Sequence, residues 1–149
     1  GGPVNFGLFA LSAALIALPS LLQADDRIEL ATLMGELQRY SHKIHLSLEA
    51  GNRPLAGFYA HEMEEIIETL VEIDEYDGHP VGQLTRDRLA PAFKAFENSL
   101  GGMETVTPSL AFDQMLDACN NCHEAAARGT IVIRKNPQNT YMQSFKPVP

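Results

Sequence analysis

Residues 108–123 read PSLAFDQMLDACNNCH, and the architecture expected of the whole chain is built around this segment. Thr107 stands just before it, and threonine followed by proline at the first helical position is a common helix start. The apolar residues recur at helical spacing, which predicts one buried face. They are Leu110, Phe112, Met115 and Leu116. We therefore expect a helix over about residues 108–128 that carries both cysteines of the chain near its C-terminal end.

The end of this helix carries the motif Cys119-Asn120-Asn121-Cys122-His123, a C-x-x-C-H sequence. This spacing is the attachment signature of c-type haem. Two thiols about one helical turn apart can reach the two vinyl groups on one porphyrin edge, and the adjacent histidine can then ligate the iron. A thioredoxin-like redox pair needs a βαβ context, and a zinc site needs about four ligands. We predict one covalent haem c, attached through Cys119 and Cys122, with His123 as the proximal iron ligand.

Three further helical segments precede this one, each with apolar residues at helical spacing. Glycine, asparagine and proline near residues 51–54, 77–80 and 101–102 separate them, since these residues favour helix ends and turns. Pro91 is expected to kink or divide the third helix, because proline lacks the N–H group. The four predicted helices run over about residues 25–50, 54–76, 83–100 and 108–128. Short connections make consecutive helices antiparallel, so we expect an all-α, up-down-up-down four-helix bundle over residues 25–129.

The two ends of the chain differ from this helical region. Residues 130–149 combine β-branched residues with Asn and Pro, which predicts an extended C-terminal tail packed on the bundle. Residues 6–22 carry no charge and precede Asp25-Asp26, as in a secretory signal peptide or a membrane anchor, and a buried core helix is a third alternative. As a signal or anchor, residues 1–24 would place the domain in the periplasm or at the outer face of the cytoplasmic membrane. Membrane association would then occur through residues 6–22.

The chain is acidic, with a net charge of −8 over 149 residues and a pI near 5.0. Its negative charge repels phosphate, so nucleic acid is not expected as a partner. A redox partner protein with a basic docking surface would be attracted instead. The two cysteines are too close in sequence to close a useful disulfide loop, which favours a metal, redox or haem role over a structural disulfide.

The first helix is the place to look for a second iron ligand, because it runs beside the last helix in the expected bundle. Counting from the shared end puts His123 level with Met34, which is the first choice for the distal ligand. Met34, Gln38, His42 and His45 lie along one flank at helical spacing. His42 and His45 are the alternative distal ligands, and Gln38 is a candidate contact for the haem edge. A haem with no sixth ligand also stays open.

Four helices with Cys-Asn-Asn-Cys-His on the last one resemble the cytochrome c-prime superfamily, including its low-spin, methionine-ligated relatives, over about residues 25–128. The resemblance implies a monohaem protein, a methionine ligand on the first helix in the low-spin members, and dimers formed through the first two helices. After the haem histidine the chain departs from the usual aromatic and basic pair, because Ala126 and Ala127 precede the nearest base, Arg128. Arg128 is a candidate contact for the haem edge. The tail is also longer, and residues 119–145 resemble a group of small exported cytochromes.

These expectations define a small exported monohaem cytochrome. We expect it to carry single electrons, with the protein setting the iron potential through its axial ligand, its pocket and its surface charge. Two alternatives stay open: a five-coordinate haem protein that binds nitric oxide or carbon monoxide, and a haem-bearing accessory subunit of a membrane redox complex. An enzyme is not expected, because no nucleophile–base set is evident and no distal acid–base pair supports peroxidase chemistry.

Overall fold

The fold is given by a computed structural model that describes the backbone of residues 1–3 and 22–149 and the side chains of residues 1–3 and 30–149. The uncharged stretch at residues 6–22, predicted to be a signal or an anchor, lies outside the described residues apart from Leu22. In the described part of the chain, no helix is both long and apolar enough to cross a membrane.

Regular structure in the described residues is helical, which confirms the predicted all-α class. Helix α1 spans Leu22–Glu49, α2 spans Arg53–Val71 and α4 spans Pro108–Ala125. Helix α3 lies between α2 and α4 and is continuous. Its three consecutive segments are the α-helical Val81–Leu84, the π-helical Thr85–Leu89 and the α-helical Ala90–Leu100.

The starts of α2 and α4 follow from the local sequence, as predicted. The Asn52 side chain accepts a hydrogen bond from the N–H of Leu55 at 3.2 Å, and Thr107 Oγ1 accepts one from the N–H of Leu110 at 3.3 Å. Each cap satisfies one of the N–H groups that a helix start leaves without an intrahelical partner. A proline stands in the first two positions of each helix, where its missing N–H leaves no bond unmade.

Helix α2 ends at Val71, earlier than the predicted Tyr76, because the start of α3 packs against its last turn. The N–H of Gly82 donates to the carbonyl of Ile73 at 2.7 Å. A Cβ atom at position 82 would lie 2.4 Å from the carbonyl oxygen of Val71, so this close approach requires glycine. A tertiary contact therefore ends α2, and the local hydrophobic pattern does not encode it.

A two-residue turn at Asp77-Gly78 connects α2 to α3, and both residues have positive φ angles, 49° and 78°. Tyr76 and His79 exchange backbone hydrogen bonds of 2.9 and 3.0 Å across the turn. Asp-Gly is a favoured pair in such a type I′ turn, because glycine and aspartate tolerate positive φ. The turn places Tyr76 and His79 at the wall of a cavity that also contains the motif histidine.

The π-helical turn of α3 lies directly before Pro91, the residue expected to kink or divide this helix. The N–H of Ala90 donates to the carbonyl of Thr85, five residues earlier. In a regular α-helix the proline ring would clash with the carbonyl four residues before it. The wider π turn accommodates the proline, so the helix continues. This turn packs against α4 and brings the carbonyl of Leu84 to 3.4 Å from Cys122 Sγ.

The core forms where α1 packs on α2, α3 on α4, and α2 on α3, with a smaller contact between α1 and α4. In α2 Ile67 is buried in the core, whereas its neighbour Ile66 is half-buried. Large apolar side chains from all four helices are fully buried. They are Ile44, Met63, Leu70, Phe96, Phe112 and Met115.

Residues 130–149 form neither helix nor strand and run across α1 and α2. Lys43 Nζ donates to Gln143 Oε1 at 3.1 Å, and Asn52 Nδ2 donates to the carbonyl of Phe145 at 3.1 Å. The Phe145 side chain is buried among the core residues. The tail therefore completes the core near the start of α2.

Candidate functional site

Helix α4 ends just after the C-x-x-C-H motif, in a Schellman cap. The N–H of Arg128 donates to the carbonyl of His123 at 2.6 Å, and the N–H of Ala127 donates to that of Glu124 at 3.1 Å. Ala127 has the left-handed conformation, with φ of 54°, that this cap requires. The helix predicted to reach residue 128 is therefore too long. The chain reverses directly after the motif, which brings residues 131–133 back beside it.

Two adjoining cavities of about 230 and 310 Å³ are lined by α1, α3, α4 and the start of the tail. Cys119 lines the larger cavity, and Cys122 and His123 line both. Met34 of α1 also lines both cavities, together with Ile131 of the tail. The structure thus brings the two motif cysteines, the motif histidine and the first-choice distal ligand to the same pair of cavities.

Both thiols are free and lie in an apolar setting. Burial raises the pKa of Cys119 to about 12, and burial also raises the pKa of Cys122 above its ordinary value. The thiols are therefore protonated at neutral pH, unlike the low-pKa thiolate of a redox-active C-x-x-C pair. Apolar surroundings disfavour a charged thiolate but suit an uncharged sulfur. The sulfur of a thioether is uncharged, so these surroundings would also suit a cysteine that is linked to another group through a thioether bond.

The ring of His123 is oriented by the tail. Its Nδ1 lies 2.8 Å from the carbonyl oxygen of Ile131, and a carbonyl can only accept, so Nδ1 carries the proton and donates. The neutral ring then has its lone pair on Nε2. Metal-ligating histidines commonly donate their other N–H to a carbonyl in this way, which fixes the ring tautomer and orientation. His123 therefore has the protonation pattern of a ligand that binds iron through Nε2.

The spacer residue Asn120 also contacts the tail. Its Nδ2 donates to the carbonyl of Ile133 at 3.0 Å, and its Oδ1 accepts from the N–H of Ile133 at 2.7 Å. Ile131 and Ile133 line the larger cavity, and Val132 between them does not; Ile133 is half-buried, whereas Ile131 and Val132 are both exposed. Sequence reasoning missed these residues. The available signal was the alternation of two isoleucines directly after the motif helix, which is typical of an extended segment with one buried side.

The two candidate contacts for the haem edge lie at different cavities. Gln38 lines the larger cavity, four residues along α1 from Met34. Arg128 lines the smaller cavity, where its Nη2 is 3.0 Å from Asp77 Oδ2. This ion pair links the turn between α2 and α3 to the end of α4.

The structure does not bring His42 and His45 to the cavities that contain the cysteines. Nε2 of His42 donates to the carbonyl of Gln138 at 2.9 Å, and its Nδ1 lies 3.1 Å from the Tyr141 hydroxyl, so both ring nitrogens have partners in the tail. His45 is buried and stacks on Phe112, with ring centroids 6.1 Å apart, and burial lowers its pKa. Both histidines line a neighbouring, more polar cavity of about 310 Å³, which shares Gly35, Gln38, Ser41 and Ile133 with the larger of the two cysteine-lined cavities.

Among the described residues, no three or more His, Cys, Asp or Glu side chains are grouped so as to hold a metal ion on their own. Comparisons with protein-family models, with curated proteins and with solved structures found no match. What the site does is therefore inferred from its own residues.

Proposed function

We propose that this chain is a monohaem c-type cytochrome that carries single electrons. One observation carries the proposal: His123, which lines the same cavities as Cys119 and Cys122, donates its Nδ1–H to the Ile131 carbonyl, so that Nε2 is the ring nitrogen available to ligate iron. The C-x-x-C-H spacing supports covalent haem attachment, and the protonated, apolar-seated thiols support a thioether more than a redox-active pair.

Each part of the site has a role in this proposal. Haem, when bound, supplies reversible one-electron chemistry at iron. Cys119 and Cys122 would hold the porphyrin through thioether bonds, and His123 would ligate the iron. The apolar side chains that line the cavities, among them Leu30, Leu37 and Ile133, exclude water and so favour the less charged state of the bound group.

We propose Met34 as the distal ligand. It lies on α1, whereas the cysteines and His123 lie on α4, and it lines both cavities with His123. His42 is less suited, because the tail already engages both of its ring nitrogens. A methionine ligand keeps both axial positions filled, which favours electron transfer over the binding of nitric oxide or carbon monoxide.

The proposed arrangement of the helices is an up-down-up-down bundle, as in the cytochrome c-prime superfamily that the sequence resembles. Two observations support this arrangement. The connections between the helices are short, and each helix packs on the next one in the chain. The contact between α1 and α4 brings the first and last helices together, as a four-helix bundle requires. Residues 130–149 would form the extended tail packed on this bundle.

We place the protein in the periplasm or at the outer face of the cytoplasmic membrane, because c-type haem is attached outside the cytoplasm. Residues 1–24 would be the export signal or the anchor. With a net charge of −8, the surface would attract a redox partner with a basic docking surface. Exposed glutamates of α2, such as Glu65 and Glu68, contribute to this charge. A homodimer through α1 and α2 is part of the same proposal.

An absorption spectrum of the reduced, natively matured protein tests the proposed function. We expect sharp low-spin α and β bands that do not change when carbon monoxide is added. A broad high-spin band that shifts with carbon monoxide would instead identify a five-coordinate gas-binding protein and would overturn the electron-carrier proposal.

A further inference from the structure

Neither haem attachment nor iron ligation uses Asn120, the first spacer residue of the motif, yet its side chain makes two hydrogen bonds to one residue of the tail. Nδ2 donates to the carbonyl of Ile133 at 3.0 Å, and Oδ1 accepts from its N–H at 2.7 Å. The side-chain amide thus satisfies both backbone groups of Ile133, as a neighbouring strand would. The other spacer residue, Asn121, is exposed.

The contact lies close to the one that orients the motif histidine. Asn120 and His123 are three residues apart on α4 and therefore lie on the same side of the helix. Ile133 and Ile131 are two residues apart in the tail, so the bonds from α4 fix a short extended segment at both ends. A segment held at two points cannot slide along the helix without breaking both contacts.

We infer that Asn120 is a positioning residue for the proximal ligand: by holding Ile133, it places the Ile131 carbonyl where His123 Nδ1 can donate to it. This inference rests on the proposed function, because it treats His123 as the iron ligand. A hydrogen bond at Nδ1 fixes the orientation of a ligating imidazole and makes it a stronger donor to the metal. Asn120 therefore raises the electron donation of His123 to iron, which favours the ferric state.

The test uses the haem-loaded protein with Asn120→Ala and the matched control Asn121→Ala. In Asn120→Ala we expect the backbone amide of Ile133 to exchange with solvent about tenfold faster or more, because its acceptor is removed. We also expect faster exchange of the His123 Nδ1–H and a higher midpoint potential. The control should match the wild type in all three. Asn120→Asp keeps the acceptor for the Ile133 N–H and is a second variant should Asn120→Ala fail to fold.

The outcomes separate this inference from the proposed function. A haem-loaded Asn120→Ala protein with a His123 Nδ1–H as slow as in the wild type, or with an unchanged or lower potential, overturns the positioning role alone. Equal shifts in Asn121→Ala would also overturn it, because the effect would then not depend on the contact with Ile133. A wild-type protein that carries no haem contradicts the proposed function itself.

Discussion

His123 combines two features that His42 and His45 do not combine. Its Nδ1 donates to a backbone carbonyl at 2.8 Å, and its ring lines the cavities that contain Cys119 and Cys122. His42 has both ring nitrogens engaged by the tail, and His45 is stacked in the core. Only His123 among these three therefore combines a fixed tautomer with a position next to the motif cysteines.

Replacing Met34 by leucine tests the distal ligand. If Met34 ligates the iron, Met34→Leu removes the sixth ligand while roughly preserving side-chain volume. The reduced protein should then lose its sharp low-spin bands and bind carbon monoxide. Met63→Leu is the control, because Met63 is fully buried in the core and lines neither of the two cavities. A Met34→Leu protein with the wild-type spectrum would exclude Met34 as the ligand.

His45 makes stability depend on pH. Burial lowers its pKa in the folded chain below the ordinary value of 6.5, so as the pH falls through 6.5 the unfolded chain takes up a proton that the folded chain does not. The free energy of unfolding should therefore be greatest above this pH and decrease as the pH falls towards the folded pKa.

Urea denaturation between pH 7 and pH 5 checks this prediction in two variants. His45→Gln should flatten the pH dependence over this interval, by on the order of 1 kcal/mol for each pKa unit of difference. His61→Gln is the matched control for replacing a histidine at an exposed position, since His61 is exposed on α2. A His45→Gln protein with the wild-type slope would be inconsistent with a buried neutral histidine.

At the level of helices and turns, the local sequence predicts where a helix starts better than where it ends. The sequence predicts Thr107 as a cap, which the structure confirms, and Asn52, expected only within the break between two helices, caps α2 as well. The end of α2 at Val71 depends on Gly82 of the next helix, and the end of α4 depends on Ala127 adopting positive φ. Hydrophobic periodicity predicts neither helix end. The end of α2 depends on a tertiary contact, and the end of α4 depends on a backbone conformation that is unusual for alanine.

Gly82→Ala tests the contact that ends α2. The added Cβ would lie 2.4 Å from the Val71 carbonyl oxygen, a backbone atom that cannot move aside easily, so we expect a loss of about 1–3 kcal/mol in unfolding free energy. Gly57→Ala is the control within α2, where an added Cβ meets nothing within 4 Å. That variant should be stabilised by up to about 1 kcal/mol, since alanine favours helix. Thermal unfolding of both variants measures the difference, and equal stabilities would contradict the close packing.

The candidate site could be predicted where its residues share one motif, and Met34 could be placed level with His123 by counting along two helices expected to lie side by side. Cys119, Cys122 and His123 form one motif, and their presence at common cavities follows from a single helix. The walls that Ile131 and Ile133 supply depend on how the tail folds back, which no local pattern specifies. The helical class was predictable because four amphipathic segments with short connections have few ways to bury their apolar faces.

Across the whole molecule, the tail joins α4, the helix that carries the C-x-x-C-H motif, to the first half of the fold. It contacts α4 through Asn120 and His123, then α1 through His42, and finally the start of α2 through Asn52. The orientation of the proposed iron ligand is thereby connected to packing contacts far from the motif in sequence. The motif histidine is thus held by tertiary structure as well as by the helix that carries it.

The central claim is that a porphyrin is covalently attached to α4, and intact-mass spectrometry of the chain matured in an exporting, haem-attaching host tests it most directly. We predict the polypeptide mass plus one haem for the wild type, and the polypeptide mass alone for the Cys119→Ser, Cys122→Ser double variant. A folded, exported wild-type chain whose mass shows no haem, and whose two thiols can both be alkylated, would contradict the account.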